Sequence, residues 1–262
     1  MPLTFYKHPA LVAYVTCGDP DLATTREIVL AAIEAGADVI ELGVPFSDPV
    51  ADGPVIQRAS ERALKHGTSL AQVLTLAAEI RQQAQSAGLI VFSYLNPILR
   101  MGLERFCKVA RAAGVDGALV TDLPVEEAGE YLRAMGQYDL SPVFLAAPTS
   151  PDERLRRIAA ASRGFVYAVS RTGVTGQRQQ LAEDARKLVK RLRRATKLPI
   201  ALGFGISSAE QFAEVGEFAD AVVVGSAIVE TIERNPGREA QAVREFIRGL
   251  LSVDSEVSIA AR

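Results

Sequence analysis

Eight short apolar runs, at residues 11–17, 38–43, 89–94, 117–121, 141–146, 164–169, 199–203 and 221–225, recur along this chain and limit what it can fold into. Longer amphipathic stretches lie between them, at 22–35, 70–87, 104–113, 126–135, 153–161, 180–195 and 209–215. The runs are rich in Val, Ile, Leu and Phe and lack polar alternation, as expected of parallel strands covered on both faces. Parallel neighbours need crossover connections, and the amphipathic stretches supply helices for them. Eight strand–helix units in 262 residues, with no linker or low-complexity break, most simply close into one (β/α)8 TIM barrel, an α/β domain spanning residues 1–262. The alternative is an open doubly wound sheet. It would carry G-x-G-x-x-G after an early strand, whereas the first run ends in Thr16-Cys17-Gly18-Asp19-Pro20. A weak internal echo supports repetition. Ala35-Gly36-Ala37-Asp38 and Ala113-Gly114-Val115-Asp116 each close a helix with Gly and launch a strand, and Phe218-Ala219-Asp220 opens the last strand in a related way.

Nearly half of the residues are apolar, so a large core is available, and the net charge of −2 argues against nucleic acid as a partner. The one basic run, Arg186 to Lys197, brackets Leu188, Val189 and Leu192 and reads as the solvated face of a helix. Two cysteines (Cys17, Cys107) and two histidines (His8, His66) offer no metal-ligand spacing, no disulfide framework and little for a His-based triad. Carboxylates are the better candidates for proton transfer. No secretory n-region and h-region open the chain and no run approaches a membrane span, so a soluble, cytoplasmic protein is expected.

Glu41 stands near the end of the second apolar run, and Asp52 follows eleven positions later in a loop of Pro, Gly, Ser and Asp. A carboxylate on a rigid strand and another on a loop suit acid–base chemistry, because two such environments hold different proton affinities. Alternatively, Glu41 caps a buried network and the aspartates only shape turns. In a barrel, the catalytic groups sit at the C-terminal strand ends. Glu41, Tyr94, Asn96, Asp122, Tyr167 and Arg171 fall there, and Asp122 reads as a group that fixes neighbouring loops. Three glycine-bearing loops follow late strands: Ser170-Arg171-Thr172-Gly173-Val174-Thr175-Gly176, Gly203-Phe204-Gly205-Ile206-Ser207 and Gly225-Ser226-Ala227. Their backbone amides suit a phosphate, with Ser226 beginning a short extra helix, although each glycine alone is explained by a tight turn. Ser207-Ser208-Ala209-Glu210 reads as a capping box, and the first of the three loops reads as a lid or a plain surface loop.

Several strings together resemble the tryptophan synthase alpha subunit family. They are Tyr14-Val15-Thr16-Cys17-Gly18-Asp19-Pro20, Glu41-Leu42-Gly43-Val44-Pro45-Phe46-Ser47-Asp48-Pro49, and Ala51-Asp52-Gly53-Pro54-Val55-Ile56-Gln57. Tyr94-Leu95-Asn96-Pro97, the loop from Ser170 to Gly176, Gly203-Phe204-Gly205-Ile206-Ser207 and Gly225-Ser226-Ala227-Ile228-Val229 complete the match, in order from about residue 11 to residue 235. The resemblance implies a carbon–carbon lyase that cleaves indole-3-glycerol phosphate to indole and glyceraldehyde 3-phosphate, with no organic cofactor or metal. It implies Glu41 as the general acid–base and Asp52 as the carboxylate that holds the indole N–H. By the same resemblance Tyr167 lies near the catalytic Glu, Thr175 is a lid residue, and Gly176, Gly205, Gly225 and Ser226 bind phosphate. Phe204, Tyr94 and Tyr14 complete the expected substrate-binding set. The implied partner is a pyridoxal-phosphate (PLP) dependent beta subunit in an α2β2 complex, met by the face that carries Pro45, Asp48 and Asn96. Two departures stand out. Residues 1–9 are too short and poorly patterned for the family's extra first helix, which leaves the lower end of the barrel less covered. Tyr14 stands where an aromatic without a hydroxyl is common. The competing readings are a stand-alone lyase that releases indole, a non-catalytic phosphate-binding barrel that regulates a partner, and a barrel for another phosphate ester.

Overall fold

The computed structural model describes residue 3 and residues 5–169, 178–203 and 205–252, the side chains of residues 178–182 excepted. The strands are β1 (Ala10–Thr16), β2 (Val39–Gly43), β3 (Gly88–Ser93), β4 (Gly117–Val120), β5 (Ser141–Val143), β6 (Leu145–Ala146), β7 (Val166–Val169), β8 (Ile200–Gly203) and β9 (Ala221–Val224). All pairs are parallel, in the order β5-β4-β3-β2-β1-β9-β8-β7-β6. The two ends of that order are halves of one apolar run, so the sheet curls into a (β/α)8 barrel with eight strand positions. The fifth run, expected as a single strand, breaks at Phe144 because the chain changes neighbours there. β5 pairs with β4, β6 pairs with β7, and the Phe144 carbonyl accepts the Tyr167 amide at 3.1 Å.

Period-two alternation sorts each strand into two faces. Val12, Val39, Ile90, Leu119, Phe165, Ala201 and Val223 point inward and fill the barrel. Their neighbours, such as Leu11, Ile40, Leu89 and Val222, form a larger cluster against the helices. Those helices are α1 (Leu22–Ala35), α2 (Pro54–Lys65), α3 (Leu70–Gln83), α4 (Leu95–Met101), α5 (Leu103–Ala112), α6 (Gly129–Gln137), α7 (Asp152–Ala161), α8 (Arg178–Ala195), α9 (Ala209–Gly216), α10 (Ser226–Arg234) and α11 (Glu239–Leu251). Helices α2, α4 and α11 are additional to those expected from periodicity. Helix α3 stops four residues short of the expected end. There the Arg81 guanidinium collects the carbonyls of Gln85, Ala87 and Gly114, at 3.3, 2.8 and 3.0 Å, and turns the chain toward β3.

The echo Asp38, Asp116 and Asp220 has a structural meaning at the lower end. Each carboxylate accepts the backbone amide that opens the neighbouring strand: Leu11 at 2.9 Å, Leu89 at 2.9 Å and Ile200 at 2.7 Å. A cation faces each of them, Lys7 on Asp38, Arg81 on Asp116 and Arg193 on Asp220. The segment before β1 also closes this end, contrary to the expectation of a less covered floor. Leu3 is 6% exposed and belongs to the inner core. It lies so close to Gly88 and Gly164 that a Cβ on either would sit 2.8 or 2.7 Å from it. Phe5 packs on Phe165 with ring centroids 5.4 Å apart. No described helix is long and apolar enough to cross a membrane.

Candidate active site

Strand β2 turns Val39, Glu41 and Gly43 to the barrel interior, in register with Val12, Tyr14 and Thr16 of β1. Gly43 is required there. A Cβ at that position would lie 2.4 Å from the Tyr14 phenol oxygen, so only glycine lets the ring cross β2 above Glu41. Glu41 is 1% exposed, and among the described residues neither carboxyl oxygen has a hydrogen-bond partner. It does not cap a buried network. With nothing to offset the loss of water, the proton is held, and burial pushes its pKa up to about 8. The phenols of Tyr14 and Tyr167 are pushed well above the usual tyrosine range, first by burial and then by neighbouring groups that include Glu41. The Thr16 hydroxyl reaches the Tyr14 oxygen at 3.4 Å.

The loop after β2 brings in the second carboxylate. Asp48 does shape a turn: the Ser47 hydroxyl donates to its side chain at 2.8 Å and the Val50 amide donates to its carbonyl at 2.9 Å. Asp52 differs. It is half-buried, its pKa is raised to about 6 by burial, and a hydrogen bond to Tyr94 pulls the other way. Tyr94 anchors this loop. Its phenol oxygen accepts the Ala51 amide at 2.9 Å, its ring stacks on Phe46 with centroids 5.0 Å apart, and burial lifts its own pKa to about 12. Asp52, like Glu41, is among the groups that raise the Tyr14 phenol. Asp122 holds the next loop, as expected, by accepting the Leu95 amide at 2.7 Å at the start of α4. Asp48 and Asn96 are exposed, whereas Pro45 is buried within the chain and stands apart from their surface.

Helix α10 begins at Ser226, directly after Gly225, as the sequence suggests. Free amides at a helix start favour an anion, and here those of Ile228 and Val229 donate to the Gly225 carbonyl at 2.9 and 3.1 Å. Gly225 lies over Tyr14, where a Cβ would meet the tyrosine Cβ at 3.4 Å. Gly205 adopts the left-handed region at φ +67°, which favours glycine. The expected cap at Ser207 moves by one residue. Ser208 caps α9 by accepting the Gln211 amide, and the Gln211 side chain, not that of Glu210, returns to the Ser207 amide at 2.9 Å. Arg171, Thr175, Gly176 and Phe204 lie outside the described residues. A cavity of about 180 Å³ opens at the C-terminal ends of β4 and β6, lined by Thr121, Asp122, Phe144 and Leu145 among others. Among the described residues no group of three or more His, Cys, Asp or Glu could hold a metal ion.

Sequence reasoning missed a charged network on the same rim. Asp19, 2% exposed, accepts both Nε and an Nη of Arg62 at 2.8 Å. The other Nη of Arg62 donates to Glu233 at 2.7 Å, and Arg58 also grips Glu233, at 3.0 and 2.7 Å. Arg62 and Glu233 are 171 positions apart, so no local spacing announces the pair.

A profile of the family described as tryptophan synthase alpha chain matches residues 3–255. The chain is 56% identical over 246 residues to a tryptophan synthase alpha chain of Solibacter usitatus, with 92% of each chain covered. It is 49% identical over 238 residues to that of Methylococcus capsulatus, covering 91% of this chain and 89% of the other. Among solved structures it is similar to tryptophan synthase subunit alpha from Legionella pneumophila, with a TM-score of 0.88, 35% identity and coverage of 95% and 93%. It is also similar to a chain of the tryptophan synthase complex from Pyrococcus furiosus, with a TM-score of 0.87, 38% identity and coverage of 95% and 100%.

Proposed function

The chain belongs to the tryptophan synthase alpha chain family, and we propose that Glu41 and Asp52 carry the family's reaction here. That reaction is the retro-aldol cleavage of indole-3-glycerol phosphate to indole and glyceraldehyde 3-phosphate, a lyase step in tryptophan biosynthesis. One observation carries the assignment. Glu41 is a buried carboxyl group inside barrel strand β2, with no described hydrogen-bond partner and a proton affinity lifted into the neutral range. Such a group delivers a proton and then takes one back, which the chemistry requires.

Neutral Glu41 protonates indole C3, and the positive charge passes to the ring nitrogen. Asp52, ionised above about pH 6, accepts the N–H and stabilises that charge. The Glu41 carboxylate then removes the proton of the side-chain hydroxyl as the carbon–carbon bond breaks. The bonding pair returns to the ring, aromatic indole leaves, and Glu41 regains its proton. Tyr14 and Tyr167 line the apolar seat around Glu41, and Tyr94 holds the Asp52 loop. The amides around Gly205, Gly225 and Ser226 receive the phosphate, while Thr175, Gly176 and Phe204 belong to the same site by family resemblance. The exposed Asp48 and Asn96 face the PLP-dependent beta subunit of an α2β2 complex, and Pro45, buried within the chain, does not. The similarity to a chain of the Pyrococcus furiosus complex supports this partner. The compartment assigned by this reading is the cytoplasm.

Glu41→Gln tests the assignment. It keeps the shape and loses the transferable proton, so indole formation should fall by about 10²–10⁴-fold while substrate still binds. Turnover within a few-fold of wild type would remove Glu41 from the mechanism.

A further inference from the structure

Helix α2 is held by a narrow apolar stripe. Only Ala59, Ser60 and Ala63 of its twelve residues are buried. Val55 and Ile56 add partly buried contacts to the cluster of Tyr14 and Val229, but apolar contact of this kind has no direction and does not by itself fix the angle of the helix. Yet this helix sets the position of Asp52, which lies two residues before Pro54 and is tied to α2 by the Gln57 side-chain amide, donating to the Asp52 carbonyl at 2.9 Å. Its neighbour is α10, where Val229 packs with Ala59 over Tyr14. What gives the contact direction is the planar guanidinium of Arg62, forked onto Asp19 behind it and bonded to Glu233 of α10 beside it, with Arg58 doubling the second link. Forked pairs of this kind fix angle as well as distance.

We propose that Arg62, with Arg58, Asp19 and Glu233, is a positioning residue that locks helix α2 to the phosphate helix α10 and so holds Asp52 at the indole nitrogen. The inference rests on the reading of Asp52 given above. A misplacement of about 1 Å at a reacting group costs about 10²-fold in rate. The network therefore acts on kcat through Asp52, more than on the affinity for substrate.

A double-mutant cycle on the full chain, assembled with its beta subunit, separates positioning from simple support. Arg62→Met should lower kcat by about 10- to 100-fold with KM changed only a few-fold. Arg62→Lys keeps the charge but not the fork and should recover part of the loss. In an Asp52→Asn background, Arg62→Met should cost almost nothing further, because the group it positions is already gone. Arg58→Gln breaks only the outer link at a half-exposed site and carries the same cycle, with a smaller loss, if Arg62→Met does not fold. Losses that multiply in the double variant, or a fall in melting temperature with kcat retained, would overturn the proposal and leave the role of Asp52 intact. Wild-type turnover by Asp52→Asn alone would overturn both.

Discussion

Glu41 is placed where a carboxylate is least welcome, and the role proposed for it depends on that. In water it would be ionised and a poor proton donor at neutral pH. In the barrel it keeps its proton up to about pH 8, while Asp52 loses its own above about pH 6. On the proposed mechanism the competent form of the free enzyme has neutral Glu41 and ionised Asp52, and it is most populated between these values. A bell-shaped dependence of kcat/KM on pH should result, with limbs near the two values, and Asp52→Asn should remove the acid limb. A flat profile across this range would disconnect the two groups from the rate. The same shift carries a stability cost. The folded pKa of Glu41 lies above its ordinary value of 4.5, so the native state retains a proton that the unfolded chain releases, and stability declines as pH rises from 4.5 toward about 8. Glu41→Gln should be more stable than wild type by a few kcal/mol at about pH 8.5, with the gap closing near pH 4.5. Urea unfolding at the two pH values checks this, and an unchanging gap would contradict it.

The strands and helices divide the labour between the two ends of the barrel. At the lower end Asp38, Asp116 and Asp220 each tie the amide that opens one strand to the turn that launches the next. Removing one leaves a buried amide and a facing cation without their acceptor. Asp116→Ala should therefore destabilise the chain by about 3 kcal/mol in urea unfolding. Because its place is opposite the active site, indole formation by the folded variant should stay near wild type. A large kcat loss without loss of stability would show that the two ends are not independent. The repeat itself was visible at two of the three places as Gly two positions before Asp. The job of the aspartate was not, since its acceptor bond crosses 27 positions to Leu11 and 27 to Leu89. Helix α2 escaped notice for a related reason. It opens directly from a loop read for its turn residues, and its apolar stripe is narrow.

At the scale of the whole molecule, the loops at the upper end serve two surfaces at once. The segment from β2 to α2 carries Asp52 on its inner side, Asp48 on its outer side and Val50 at 87% exposure. A partner docking on the outer side would restrain the inner one. Mixing the chain with its beta subunit should give a complex with the mass of two of each. Indole formation should rise by about tenfold or more, equivalent to about 1.4 kcal/mol or more off the barrier. Separate elution of the two chains, or activity unmoved by the partner, would contradict this.

Local patterns in the sequence already determined the alternating strands and helices, the barrel they close into, and the candidate carboxylates Glu41 and Asp52. Strand burial, glycine turns and catalytic strings are written in neighbouring residues, so their physics is short-range. Tertiary structure decided the rest. That Glu41 holds its proton follows from the absence of any described partner in the space enclosed by eight strand positions. That Leu3 plugs the floor depends on Gly88 and Gly164 leaving room for it. That Arg62 joins Asp19 to Glu233 depends on three segments meeting at one rim. Desolvation and ion pairing depend on what surrounds a group in space, and only the closed barrel brings those surroundings together.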